Sequence, residues 1–346
     1  MLFVSFVVDI EPKNAMPTNI LFTSVGRRVE LLRSFRRAHR GLGLEGRIVA
    51  VDVDPLAPAL QAADRPYIVP RLDSIEYIAK LADILDREQV NVVFPLIDPD
   101  IPVLAANREL LESTGARLAV VSSEAAETTS DKWQTYVFFR KHRLPVPATW
   151  LPGEIDPDAA GYPLFIKPRR GSASQHTFKV ENARQLAFFS EYVPQPIVQE
   201  YLPGPEITND VICDVDGRLL GVVSRERIRV RAGEVLVGRT VHYPEIAEAC
   251  ARLAAALPAV GPITVQCILQ DGRPKFTEIN ARLGGGVPLG IAAGADSPRW
   301  LLAAAAGMTF DVPPPGSYRT GLYLNRFDYS HFATEEDRER MASHRI

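Results

Sequence analysis

Between Asn19 and Ser123 short apolar runs alternate with stretches of helical period. NILFTSV, RIVAVDVD, VNVVFPLI and RLAVVS are the runs. VELLRSFRRAHR and SIEYIAKLADILDRE, set between them, bring apolar residues round every three or four positions. Strands separated by helices predict a parallel sheet with a helical cover, whose ligand crevice lies beyond the carboxyl ends of the strands. Past Ser130 the rhythm changes. DKWQTYVFFRKH reads as an amphipathic helix stopped by LPVP and looks like a domain linker. LFIKP, HTFKV, PIVQEYL, ITNDVICDV and LLGVVSRERIRV follow as strands, with only NARQLAFFSEYV helical among them. Then come the helix EIAEACARLAAALP, the paired runs VQCIL and KFTEIN, the helix SPRWLLAAAAG and a last strand, GLYLNRFDY. The closing EEDRERMASHRI is highly charged and is expected to fray.

VQCIL and KFTEIN carry the most chemistry. Asp271-Gly272 between them is a two-residue hairpin turn, and folding about it sets Gln266 opposite Glu278. Strand alternation puts Glu278 and Asn280 on one face, with Arg282 continuing the series. One carboxylate and two amides make an oxygen-rich set for a hard cation, Mg²⁺ or Mn²⁺, that keeps phosphate and water as its other ligands. The plain alternative is a solvated face, because Glu and Asn are mostly exposed. Only agreement with other segments decides between the two.

Composition narrows the class. A chain of 346 residues with 46% hydrophobic and 23% charged residues has the length for two or three domains with cores of their own. A net charge of −3 offers no general attraction to nucleic acid or an anionic membrane. No apolar run approaches the roughly 18 residues of a membrane span. Cys213, Cys250 and Cys267 stand far apart in apolar surroundings, as expected of buried, reduced thiols in a cytoplasmic protein. MLFVSFVV lacks a basic start and runs into Asp9 and Glu11, which makes a weak signal peptide. Residues 1–16 read instead as an extension ahead of the first strand, expected to be disordered.

Further motifs lie in a fixed order. SVGRR after the first strand has one glycine, not the three of a dinucleotide fingerprint, but it offers amides and Arg27 or Arg28 to an anion. LFIKPRRGSAS places Lys167 at a strand end, before a loop whose Gly171, Ser172 and Ser174 offer amides and hydroxyls to phosphate. In VQEYLPGPE, the extended backbone of Glu200, Tyr201 and Leu202 can pair with an adenine edge, and Glu206 can accept ribose hydroxyls. Each motif alone is a common turn or strand.

Together, Lys132, Lys167 with Gly171-Ser172, Glu200 to Leu202 with Glu206, Gln266 and the E-x-N-x-R of Glu278, Asn280 and Arg282 resemble the ATP-grasp superfamily. The likeness is closest to its carbamoyl-phosphate-synthase-like carboxylate–amine ligases, and NILFTSVGRRVELLRSFRRA and FPLIDPDIPVLAANRE look like that group's N-terminal domain. The resemblance implies a fold that is α/β and α+β. A Rossmann-like parallel-sheet domain over residues 17–124 would precede a two-lobed ATP-grasp fold. Its linker helix and small lobe would span 125–198, its large lobe with the metal site 199–335, and a tail 336–346.

It also implies roles. Lys132 and Lys167 would hold phosphates of ATP, Glu200 to Leu202 the adenine, and Glu206 the ribose. Gln266, Glu278 and Asn280 would ligate Mg²⁺, and Arg282, with Lys167, would act on the transferred phosphoryl group. One departure stands out: His176 occupies a position where many relatives carry a second loop glycine. On the substrate side, Arg225, Arg227, Arg229 and Arg231 recur at every second position, with Arg225 or Arg227 expected to grip a substrate carboxylate. Asp98 and Asp100 are candidates for an amino group, and Gly284, Gly285 and Gly286 would let backbone approach an acylphosphate.

The function implied is ATP-dependent joining of a small, amino-acid-like carboxylate to an amine, with small-molecule partners, no nucleic acid or membrane, and room for a homodimer. The alternatives are carbamate or carboxyphosphate chemistry, weakened by the lack of a glutaminase or biotin-carrier segment, and an inactive nucleotide-binding regulatory subunit.

Overall fold

The computed structural model describes residues 17–172 and 175–343. The expected extension over residues 1–16 and Ser174 of the phosphate loop lie outside the described residues. Three sheets follow one another along the chain. The first comprises β1 (Ile20–Thr23), β2 (Ile48–Asp52), β3 (Arg65–Ile68), β4 (Val92–Pro95) and β5 (Arg117–Leu118). All its pairings are parallel, in the order β3-β2-β1-β4-β5. The strand order reverses between β1 and β4, so the loops after those two strands flank the crevice where such sheets bind ligands.

The second sheet is antiparallel and small: β6 (Thr149–Trp150), β7 (Leu164–Pro168), β8 (Phe178–Val180) and β9 (Pro196–Glu200), ordered β6-β9-β7-β8. The third is larger and also antiparallel: β10 (Glu206–Cys213), β11 (Leu219–Arg231), β12 (Glu234–Val241), β13 (Ile263–Gln270), β14 (Arg273–Asn280) and β15 (Tyr323–Asn325), ordered β14-β13-β10-β11-β12-β15.

The cores show how these sheets are joined. Leu21 and Val93 of the first sheet share one apolar cluster with Val211, Val265 and Ile279 of the third, and Phe22 and Phe94 share another with Leu220 and Trp300. The small sheet keeps a separate core around Leu164, Ile166 and Val198. Helix Lys132–Lys141 belongs with the larger unit: Phe139 is fully buried, its ring 5.9 Å from that of Phe276. The segment is therefore packed structure and not a free linker.

Several elements differ from the sequence reading. β3 and β12 were unforeseen, as was helix Ser123–Ser130, whose SEAAETTS has little apolar periodicity. The charged end forms a helix, Glu335–Ser343, with Met341 half-buried against the core, so a frayed tail is corrected. Cys213, Cys250 and Cys267 are free and buried, with burial raising each thiol above its ordinary range. Among the described residues no helix is long and apolar enough to cross a membrane.

Candidate active site

A cleft of about 580 Å³ opens where the three sheets meet. Its floor is the hairpin of β13 and β14. Asp271 and Gly272 both take positive φ, 51° and 76°, which gives the tight turn a twist matching the strands. The register pairs Gln266 with Glu278 and Thr264 with Asn280. Side chains then link across the floor. Gln266 donates to Glu206, Asn280 Nδ2 lies 3.3 Å from Gln266 Oε1, and Arg282 Nη2 lies 3.4 Å from Asn280 Oδ1 and 2.8 Å from Asp98 Oδ2. The chain of contacts runs from Glu206 on β10 to the loop after β4.

The lysines stand over this floor. Asp131 caps helix Lys132–Lys141 by accepting from the Trp133 amide at 2.8 Å, and it also grips Arg169 through two guanidinium nitrogens. The double grip ties the helix start to the loop after β7. Lys132 Nζ donates to the Gly171 carbonyl at 2.7 Å and sits 3.6 Å from Glu278 Oε1. Lys167, at the end of β7, is buried. Burial pushes its ammonium down to about 8, with Glu278 opposing and Lys132 reinforcing that shift.

Lys132, Lys167, Gly171, Ser172, Glu200, Tyr201, Leu202, Glu206, Arg225, Arg227, Gln266, Glu278, Asn280, Arg282 and Gly285 all line the one cleft. Their side chains have unequal freedom. The Glu200 carboxylate is held by Lys275 at 2.7 Å and its amide donates to the Ala148 carbonyl at 2.8 Å. Among the described residues the carboxylate of Glu278 has only the loose Lys132 contact, and the side-chain oxygens of Gln266 and Asn280 accept only the long bonds of 3.3 and 3.4 Å. One carboxylate and two amide oxygens fit a cation shared with phosphate oxygens better than a self-sufficient protein site. In agreement, no group of three or more His, Cys, Asp or Glu suited to a metal occurs among the described residues.

Other expectations are corrected. Arg225 is 2% exposed and sends Nε and Nη2 to Asp210 at 2.6 and 2.7 Å, and Arg227 is engaged by Glu206 and the Gly233 carbonyl. Neither has a free fork for a substrate carboxylate. A shifted register within β11 breaks the stripe, leaving Arg229 and Arg231 outside, exposed. Asp100 is buried and accepts from Thr23 and Ser24 at 2.6 and 2.9 Å, so it braces the turn after β1 and cannot meet an amine. Asp52, where a dinucleotide fold keeps its ribose acid, accepts from the Gly26 amide at 2.7 Å. His176 takes φ 52°, a left-handed conformation natural to glycine, and points toward Tyr192 instead of lining the cleft.

The sequence reading missed Asp210, Glu234 and Arg326. An acid isolated in the apolar run ITNDVICDV is itself a signal, because a buried carboxylate requires a partner.

This fold and cleft agree with comparison to known proteins. Two family models match, one described as "PylC-like, N-terminal domain" over residues 20–119 and one as "ATP-grasp domain" over residues 129–286. Residues 129–286 therefore form an ATP-grasp domain. It is 25% identical over 147 residues to a D-alanine–D-alanine ligase of Petrotoga mobilis, covering 40% of this chain and 49% of that one. With the arginine-specific carbamoyl phosphate synthase large chain of Bacillus subtilis it shares 24% identity over 269 residues, 72% of this chain and 25% of the relative. The chain thus spans half or less of these curated relatives. Among solved structures, the biotin carboxylase domain dimer of Hydrogenobacter thermophilus 2-oxoglutarate carboxylase, in complex with MgADP, ADP and bicarbonate, superimposes with a TM-score of 0.68. Identity there is 20%, over 89% of this chain and 73% of that one, a likeness of fold.

Proposed function

We propose that this protein is a Mg²⁺- and ATP-dependent ligase joining a small, amino-acid-like carboxylate to an amine through an acylphosphate. The observation that carries the reading is the convergence of Lys132, buried Lys167, Glu278, Asn280 and Arg282 on one cleft, with Glu206 linked to Asn280 and Arg282 through Gln266. A nucleotide lying along this row has ribose at Glu206, adenine against the backbone of Glu200 to Leu202, and phosphates under the two lysines. The MgADP in the carboxylase crystal supports the choice of ligand. Glu278 with the oxygens of Gln266 and Asn280 would hold Mg²⁺, which when bound would supply charge neutralisation at the phosphates.

The chain's own residues do the rest. A substrate carboxylate oxygen attacks the γ-phosphorus and ADP leaves; the amine then attacks the acyl carbon, a C–N bond forms and phosphate departs. Arg282, oriented by Asp98 and by the Asn280 oxygen, faces the charge that spreads over the transferred oxygens. Lys167, which keeps its proton below about pH 8, does the same from the end of β7. Positioning and preset charge are the main contributions.

The test is phosphate release from Mg-ATP across a matrix of carboxylates and amines, with Glu278→Ala as control. Release that needs one particular pair and is lost in the variant, by about a hundredfold or more, is the expected result. Release with bicarbonate alone would favour carboxyphosphate formation, a second reading supported by the likeness to the synthase and the carboxylase. Binding without turnover across the whole matrix would leave a regulatory subunit.

A further inference from the structure

Where the N-terminal domain meets the cleft, positive charge exceeds the carboxylates that balance it. Four arginines from distant parts of the chain gather around Gly284, Gly285 and Gly286: Arg28 after β1, Arg225 on β11, Arg282 after β14 and Arg326 after β15. A Cβ on Gly285 would stand 2.8 Å from Nη1 of Arg28, and one on Gly286 would stand 1.9 Å from Nη1 of Arg225. Arg326 donates to the Gly285 carbonyl. The glycines are the space into which these guanidiniums fit.

Three of the four are matched. Arg225 has Asp210, Arg282 has Asp98 at 2.8 Å, and Arg326 has Glu234 at 3.3 Å, although Glu234 also takes Arg27 at 3.4 Å. The Arg28 guanidinium makes no hydrogen bond or ion pair with any described residue, yet Arg28 lines the cleft. Burial first, then the charges of Arg282 and Arg326, bring its guanidinium down to about 10, with Glu234 and Asp98 only partly compensating. The turn that presents it is braced, by Asp100 against Ser24 and by Asp52 against the Gly26 amide. It also lies at the β1/β4 crossover, the crevice such sheets use for ligands. A fixed, uncommitted guanidinium fork beside surplus positive charge is a carboxylate receptor.

We propose that Arg28, backed by Arg326, holds a second carboxylate of the acid that is activated, so the acyl substrate is a small dicarboxylate. One carboxylate lies beside Arg282 for phosphorylation, and the other stays on Arg28 throughout. The proposal rests on the ligase reading, but its test does not need turnover.

Binding of succinate, glutarate and L-glutamate, against propionate, butyrate and L-alanine, is measured by calorimetry without nucleotide. The proteins are the wild type, Arg28→Met and Arg28→Lys. A non-hydrolysable Mg-ATP analogue is titrated separately. The expected result is that at least one diacid binds the wild type about tenfold or more tightly than its monoacid counterpart. Arg28→Met abolishes that preference, Arg28→Lys restores part of it, and analogue affinity is the same in all three. Equal binding of diacids and monoacids, no binding of either, or an unchanged preference in Arg28→Met would overturn the proposal. So would loss of analogue affinity in Arg28→Met, which would assign the guanidinium to phosphate. A wild type that fails to bind the analogue counts against the ligase reading, while the diacid preference is still read independently.

Discussion

The burial of the Lys167 ammonium costs the nucleotide-free protein stability, and that cost can be measured. Its side chain is 7% exposed, and burial is the chief reason its ammonium falls from 10.5 to about 8. At about 1.4 kcal/mol per pH unit, holding the charged form in the empty fold costs roughly 3 kcal/mol. The folded value lies below the unfolded one, which fixes the pH dependence. Below pH 8 both states carry the proton and the full cost is present. Between about 8 and 10.5 the folded protein gives up the proton first and the cost shrinks; above 10.5 it is gone. Lys167→Met keeps the length and apolar character without the charge. In nucleotide-free protein it should raise stability at pH 7 by up to roughly 3 kcal/mol, with the gain declining through pH 8 to 10.5. Urea denaturation of both proteins at pH 7, 8.5 and 10 gives the comparison. A variant no more stable than wild type at pH 7, or a gap that stays constant across the series, would refute the argument.

Two further outcomes test the buried charges. Asp210→Ala strands the Arg225 guanidinium in the core and should cost about 3–5 kcal/mol, whereas Asp328→Ala, which removes the exposed partner of Arg231, should leave the midpoint almost unchanged. Urea midpoints for the pair check this, and equal losses would contradict the burial argument. Asp100 is pushed by burial up to about 6 despite the Thr23 and Ser24 hydroxyls that donate to it. Because the folded protein holds that proton where the unfolded chain has lost it, this contribution to stability falls as pH rises from about 4 to 6. Relative to Asp100→Asn, wild-type melting should be highest near pH 4 and settle to a constant offset by pH 7. An offset independent of pH would place the proton elsewhere.

What could be read from the sequence was local, and what could not was mostly long-range. The hairpin of β13 and β14 needed only a two-residue turn and strand alternation, so the facing of Gln266 and Glu278 follows from neighbours in the chain. Most strands and helices were legible for the same reason. Two of the exceptions lacked the pattern: β3 begins with exposed Arg65 followed by Pro66, and SEAAETTS has little apolar stripe. Charge pairing lies at the opposite extreme. Alternate arginines on β11 made Arg225 and Arg227 look like a substrate grip, but whether a guanidinium is free depends on what the next strand brings to it. Asp210 and Glu206 on β10 answer that within the sheet. Arg28 and Arg326 lie almost three hundred residues apart, and no periodicity connects them. Only the packing of the first sheet against the third makes them neighbours, around three glycines that leave them room. On the proposed reading, the nucleotide row is encoded in short segments, while the choice of acid is written into the docking of the first sheet on the third. It follows that changing the turn after β1 would alter the proposed receptor without touching the hairpin.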